Sequence, residues 1–280
     1  MRLRTVVSDI GGSRAEVRID GDWFASPARD VGELVSLPNW TAALSIRPSN
    51  EATRSALVVL APGKIVCCGH NYRAHIAEMG RPEPEFPTLF AKFADTLTAW
   101  DADIALPGAA ESFGLDWEAE LAIVIGAPLR HADRAAARAG IAGYTVANDF
   151  SMRVWQRRTS QWLQGKAFEA TTPLGPELVT PDEADPADGL RISCRVNGVE
   201  EQTGSTDDLV FDPATLLAYI SEFTTLRPGD VVLTGTPGGV GAAADPPRQL
   251  RPGDVVETEI EGIGLLRNRI TTMEGNRDDQ

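Results

Sequence analysis

The 280-residue sequence predicts a mainly β protein with short helices, an α+β chain. Three observations carry this. Apolar runs of strand length, at 64–69, 115–126 and 143–149, each meet a polar or glycine-bearing loop. A near-repeat, Leu226-Arg227-Pro228-Gly229-Asp230-Val231-Val232 and Leu250-Arg251-Pro252-Gly253-Asp254-Val255-Val256, is twice a Pro-Gly turn feeding a strand. In such a turn Pro fixes one central torsion and Gly accepts the positive one. Helical spacing is confined to short stretches such as 134–139 and 213–221.

In chain order, residues 3–8 and 15–19 read as strands joined through Gly11-Gly12, and Asp20-Gly21-Asp22 makes a second turn before Trp23-Phe24, giving a small meander. Over 29–44, Val31, Leu34, Val35, Trp40 and Leu44 have helical spacing broken by Pro38, which predicts two short helices. Residues 1–62 hold no cluster of acid, base and nucleophile and read as a small accessory domain. Pro62-Gly63 marks its end, and 63–280 forms the larger domain. Residues 81–87 make a Pro- and Glu-rich loop suited to a lid, and 90–106 read as irregular chain with short strands ending at Pro107-Gly108. Beyond 190 the composition is β-rich, with a strand and turn over 192–198 and a helix at 213–221 that starts on Pro.

The chemistry concentrates at Leu115-Asp116-Trp117-Glu118-Ala119-Glu120, the opening of an apolar strand. Residues two apart on a pleated strand share a face, so Glu118 and Glu120 are expected to point together. Carboxylates held together in apolar surroundings repel and lose hydration, and a shared cation relieves both costs. Asp149, at the end of the 143–149 run, supplies a third acid. An all-oxygen set of Glu118, Glu120 and Asp149 favours Mg²⁺ or Mn²⁺, with Ca²⁺ less so, over Zn²⁺ or Cu²⁺.

Around these acids lie candidates for the remaining roles. His75 and Glu78 are neighbours on a helical turn, where a carboxylate orients an imidazole and raises its basicity for proton removal from water. The same spacing also serves a plain surface hydrogen bond. His70 reads as a satisfied core histidine rather than a substrate contact, and His131 as solvent-facing ahead of a helix capped by Asp133. Arg153 and Gln156, one helical turn apart just behind Asp149, suit a carboxylate or carbonyl oxygen. Lys166 is either a solvated lysine or an electrophile at the site. The glycine-rich stretch 233–241 lacks the lysine and following helix of a nucleotide loop, which leaves an oxyanion-binding loop or a plain turn.

A formal charge of −14 and a pI near 4.7 exclude a nucleic-acid or anionic-membrane surface. No segment reaches bilayer-spanning length. Three cysteines, Cys67, Cys68 and Cys194, give no disulfide framework and fit a reducing cytosol, so a cytoplasmic location is expected.

Taken together the segments resemble the fumarylacetoacetate hydrolase family. The resemblance is carried from about Lys64 onward by residues 69–72 with His75 and Glu78, by 116–120, by Asn148-Asp149-Phe150-Ser151 with Arg153 and Gln156, by Gly165-Lys166 leading to 173–176, and by Pro228-Gly229-Asp230 leading to Thr234-Gly235-Thr236-Pro237. It implies a catalytic domain with a roll-like β sheet, a smaller N-terminal domain and a homodimer. It also implies Mg²⁺ or Mn²⁺ on Glu118, Glu120 and Asp149, water activation by His75 with Glu78, and stabilisation of negative charge by Lys166. Arg153, Gln156, Thr236, Gly235 and Tyr72 would bind substrate. His70, Glu169 and 93–96 depart from the family pattern, which implies an altered pocket. The expected activity is metal-dependent hydrolysis of a carbon–carbon bond in a 2,4-dioxo acid of the acylpyruvate or fumarylpyruvate type. The alternatives are an oxaloacetate-type decarboxylase or dienoic oxo-acid isomerase on the same site, and a non-catalytic protein that binds metal and a small molecule.

Overall fold

A computed structural model of the chain describes residues 1–8, 12–41, 47–48, 53–106 and 113–272. Arg2–Ser8, Ser13–Ile19 and Asp22–Ala25 pair antiparallel in sequence order as the expected meander. Gly21 takes the positive φ of its second turn; in the first turn Gly11 lies outside the described residues. One helix, Val31–Ser36, stands where two were expected: 37–41 are bend and turn, and Leu44 lies outside the described residues. Asp30 caps this helix by accepting from the Glu33 N–H at 2.6 Å, while its second oxygen accepts from Leu60 N–H at 3.0 Å. Val31, Leu34 and Val35, spaced for one face, are buried.

The meander joins a larger sheet. Arg2–Ser8 also pairs antiparallel with Thr172–Val179, Leu3 opposite Leu178. From there the ladder continues through Ile141–Asn148, Ala119–Ile125, Val231–Leu233 and Ile65–Gly69 to Thr88–Lys92. A second sheet orders Val199–Ser205, Arg191–Val196, Val255–Ile260, Gly264–Thr272 and Ile104–Leu106. Ala119–Ile125 is buried on both faces, which is why it reads as a continuous apolar run. Leu121, Ile123 and Ile125 pack in one cluster with Ile192, Val256 and Leu266 of the second sheet, and Ala122 and Val124 pack on the other face with Leu34 and Leu174. The turn expected at Pro107-Gly108 lies outside the described residues.

Both halves of the near-repeat form the same turn: Asp230 accepts from Arg227 N–H at 2.8 Å and Asp254 from Arg251 N–H at 2.7 Å. The helix beginning on Pro213 runs to Phe223 and is capped by Asp212. Asp133 caps Arg134–Ala139, and His131 is exposed beside Glu222, as expected. No helix among the described residues is long and apolar enough to cross a membrane.

Strand direction decides where function can sit. Ala119 faces Asn148 across an antiparallel pair, Ala122 faces Leu233 across another, and Leu233 lies beside Cys67 in a parallel pair. Ala119–Ile125 therefore begins at the same sheet end where Ile141–Asn148, Val231–Leu233 and Ile65–Gly69 stop. The loops leaving those strands carry Glu118, Asp149, Thr234-Gly235-Thr236 and His70, so the sheet delivers them to one place.

Candidate active site

The expected single strand over 115–126 is broken. Leu115–Asp116 pairs with Ser151–Met152, Trp117 and Glu118 leave the ladder, and the main strand starts at Ala119. The break has a cause in Asp116, whose buried carboxylate accepts from the N–H groups of Trp117 and Gly241 with one oxygen and of Ala242 with the other, at 2.7–3.0 Å. A side chain on Gly241 would place its Cβ 2.8 Å from Asp116, so only glycine lets that loop close in. The Glu118 N–H donates to Asn148 Oδ1 at 3.0 Å in place of a strand partner. Glu118 thus reaches Glu120 from just outside the ladder rather than through the pleat.

Glu118, Glu120 and Asp149 nevertheless converge, each offering an oxygen within 4.8 Å of the others, and all three are buried. Cations bracket two of them. Lys166 Nζ lies 2.7 Å from both Glu118 and Asp149. Arg153 spans 2.6 Å to Glu118 and 2.8 Å to Asp116, and also donates to Gln156 Oε1 at 2.9 Å. Lys92, which the sequence reading missed, lies 2.5 Å from the other oxygen of Asp149. Lys166 is therefore buried and ion-paired, not a solvated lysine.

Glu120 differs. Its one hydrogen bond is accepted from the Gly235 N–H at 2.7 Å, and no lysine or arginine pairs with it among the described residues. Gly235 has φ +97 and its Cβ would meet the Cys68 carbonyl at 2.9 Å, so glycine is required there. The glycine-rich loop thus spends this N–H on a protein carboxylate.

Burial pushes Glu118 upward, yet Lys166 and Arg153 outweigh it and hold the carboxyl at about 2. Burial, then the charges of Asp149 and Glu118, push Glu120 well above the usual carboxylate range. Lys166 is held in its charged form by Asp149 and Glu118 despite burial, and Arg153 by Glu118 and Asp116. Ionised Glu120 is the uncompensated charge, and a divalent cation fits that deficit. The donors are all oxygen, Glu120 keeps one oxygen without a partner among the described residues, and a carboxylate has about four lone-pair sites, so Glu118 and Asp149 retain sites beside their cations.

A cleft of about 620 Å³ opens onto Glu118, Glu120, Lys166 and Arg153. His75 lines it, on the helix Arg73–Glu78, with Nδ1 3.2 Å from Glu78 Oε2; His75 is buried and Glu78 half exposed. Gln156 and Thr236 line it too, Thr236 accepting from Gln202 Nε2 at 2.8 Å. Gln202 also accepts from the Ala119 N–H at 2.9 Å and so ties the second sheet to the start of Ala119–Ile125.

Two readings need correction. Tyr72, the residue before the helix Arg73–Glu78, is wholly buried in the apolar core with Trp117 and Phe150 and is not among the residues that line the cleft. His70 is not a core residue: it lines the cleft, half buried, with φ +55 and its ring edge-on to Trp162 at 5.3 Å. Trp162 leaves no room for a Cβ at Gly69, and the chain turns sharply there. Lys92 and Asp116 left little signal in the sequence. Each closes or flanks a short strand, and only the fold brings its partners near.

Residues 64–271 match the family model for the fumarylacetoacetate (FAA) hydrolase C-terminal region, a match that begins just past Pro62-Gly63. The human mitochondrial oxaloacetate tautomerase FAHD2A is 45% identical over 231 residues, covering 82% of this chain and 73% of that protein. A solved fumarylacetoacetate hydrolase from psychrophilic Exiguobacterium antarcticum superimposes with a TM-score of 0.83 at 31% identity, covering 97% of this chain and 99% of the other. A 2-hydroxyhepta-2,4-diene-1,7-dioate isomerase from Mycobacterium marinum does so with 0.77 at 33% identity, covering 98% and 99%. Likeness of this length and level shows that the chain, mainly β as its sequence predicts, belongs to the fumarylacetoacetate hydrolase family.

Proposed function

We propose that this protein is a divalent-metal-dependent enzyme that moves a proton on a small 2-oxo acid, as a tautomerase or isomerase of the oxaloacetate or dienoic oxo-acid kind. The observation that carries the reading is one cleft lined by Glu118, Glu120, Lys166 and the buried His75 together. The relative named oxaloacetate tautomerase and the neighbour named heptadienedioate isomerase support proton transfer.

Glu118, Glu120 and Asp149 would hold Mg²⁺ or Mn²⁺, which supplies Lewis-acid polarisation of the oxo acid. His75 donates its Nδ1–H to Glu78, leaving Nε2 as the basic nitrogen that removes or returns the proton at the carbon beside the carbonyl. Lys166 and Arg153 keep fixed positive charge where negative charge grows on the substrate oxygen, with no reorganisation at the moment of reaction. Gln156 and Thr236 orient the substrate oxygens. Phe90 and Trp162 wall the cleft against water.

Carbon–carbon hydrolysis, the first expectation from the sequence, stands second. It uses the same His75 to activate water, and the solved neighbour named fumarylacetoacetate hydrolase supports it. Oxaloacetate in D₂O, followed by NMR with Mn²⁺, separates the readings. Faster keto–enol interchange with the carbon skeleton intact is the expected result. Release of CO₂ or a cleaved acid as the main product overturns it.

We take residues 1–62 as an accessory segment and the chain as a homodimer; exposed Phe93 and Leu163 beside an apolar groove of about 560 Å³ offer a face, and sedimentation tests it. The three cysteines are buried and free, which fits any reducing compartment. The human relative is named mitochondrial, so cysteine usage alone does not assign the cytoplasm.

A further inference from the structure

We propose that Arg81 and Arg157, at the mouth of the cleft, bind the distal carboxylate of a dicarboxylic oxo acid and so select dianionic over monoanionic substrates. The inference rests on the proposed oxo-acid chemistry and adds the residues that bind a second carboxylate.

Lys92, Arg153 and Lys166 each pair with carboxylates of the protein itself, so none is free to take a second anionic end of a ligand. Arg81 and Arg157 line the same cleft, both exposed, and among the described residues neither pairs with a carboxylate. The acid of the neighbouring loop, Glu83, goes to Arg73 at 3.5 Å instead. Two such arginines on one cleft of a chain with net charge −14 form a local positive patch.

His70 strengthens the reading. Its Nε2 lies 3.4 Å from Arg81 Nη1, and its ring is fixed against Trp162. The residue adopts φ +55, a conformation that a residue with a side chain rarely takes without a local reason. An imidazole so placed keeps the Arg81 head group over the cleft rather than out in solvent. A guanidinium presents paired N–H donors matched to a carboxylate, and the about 620 Å³ of the cleft accommodates an oxo acid with one end at the carboxylate cluster and the other at these arginines.

The experiment is calorimetric binding to the Mn²⁺-loaded protein. The probes are 3,3-difluorooxaloacetate, which cannot enolise, and 3,3-difluoro-2-oxobutanoate, which lacks the distal carboxylate. The wild type is expected to prefer the diacid. Arg81→Ala and Arg157→Ala should each weaken diacid binding by about tenfold, the low end for a charge-assisted hydrogen bond at an exposed site. Monoacid and Mn²⁺ binding should stay within about twofold of wild type. Equal weakening for both acids, unchanged diacid binding in both variants, or a wild type with no preference overturns the proposal. Selective binding lost in the variants, in a protein that turns over no oxo acid, upholds it and removes only the proton-transfer reading.

Discussion

Lys92 Nζ lies 2.5 Å from Oδ1 of Asp149, and both side chains are wholly buried although 57 residues separate them in sequence. Lys166 takes the other oxygen, so the acid that closes the Ile141–Asn148 strand is gripped from both sides. Lys92→Met keeps the length and removes the charge. It leaves Asp149 underpaired, and breaking a buried pair from one side costs about 3–5 kcal/mol. Urea unfolding of the metal-free protein should show that loss. Unchanged stability would mean that Asp149 does not depend on Lys92.

Cation binding should release a proton, and the sign follows from Glu120. Its folded value is raised by burial and by Asp149 and Glu118. The stability this carries is full below the ordinary carboxylate value of 4.5 and is lost as pH rises through the elevated folded value. Metal must displace that proton, so Mn²⁺ affinity rises with pH across the same window. Glu118 has the opposite sense: held at about 2, its contribution is present above the ordinary value and is lost only as pH falls through about 2. Mn²⁺ titrations in buffers of differing ionisation enthalpy count the protons. No release near neutral pH would mean that Glu120 is already ionised or is not a ligand.

His75→Ala should leave Mn²⁺ affinity near wild type and lower kcat by about 10²–10⁴, the usual contribution of a positioned acid or base. Glu78→Gln should cost much less, because Glu78 is half exposed and orients the ring without touching the reacting atoms. Steady-state rates on oxaloacetate with saturating Mn²⁺ check both. A His75→Ala enzyme at parent rate would move the base to another residue.

Local pattern carried much of this molecule, and long-range pairing carried the rest. The two-sided burial of Ala119–Ile125 was readable because its apolar run is continuous, and Asp149 because it ends another such run. The joining of Arg2–Ser8 to Thr172–Val179 was not, since register between strands so distant leaves no mark on either one. Glu118 reached the cluster as expected but by a broken strand, because the pull of Asp116 on three N–H groups is invisible to a period-two count. His70 was misplaced for a related reason: a lone histidine after an apolar strand reads as interior, and its ring packs on Trp162, 92 residues on, at the cleft.

Asp116→Asn tests whether the strand break is built or incidental. The carboxylate accepts from Trp117, Gly241, Ala242 and the Nε of Arg153, two donors on each oxygen. An amide keeps one oxygen and turns an NH₂ toward the other two donors, leaving buried N–H groups unsatisfied at about 1–3 kcal/mol each. Arg153 loses a charged partner and keeps only Glu118, so its guanidinium is less firmly aimed into the cleft. Thermal unfolding should therefore fall and KM for the oxo acid rise, while Mn²⁺ affinity changes less, since Asp116 is not one of the three clustered acids. A variant that melts like wild type with unchanged KM would show that the 240–242 loop and Arg153 hold their places without Asp116.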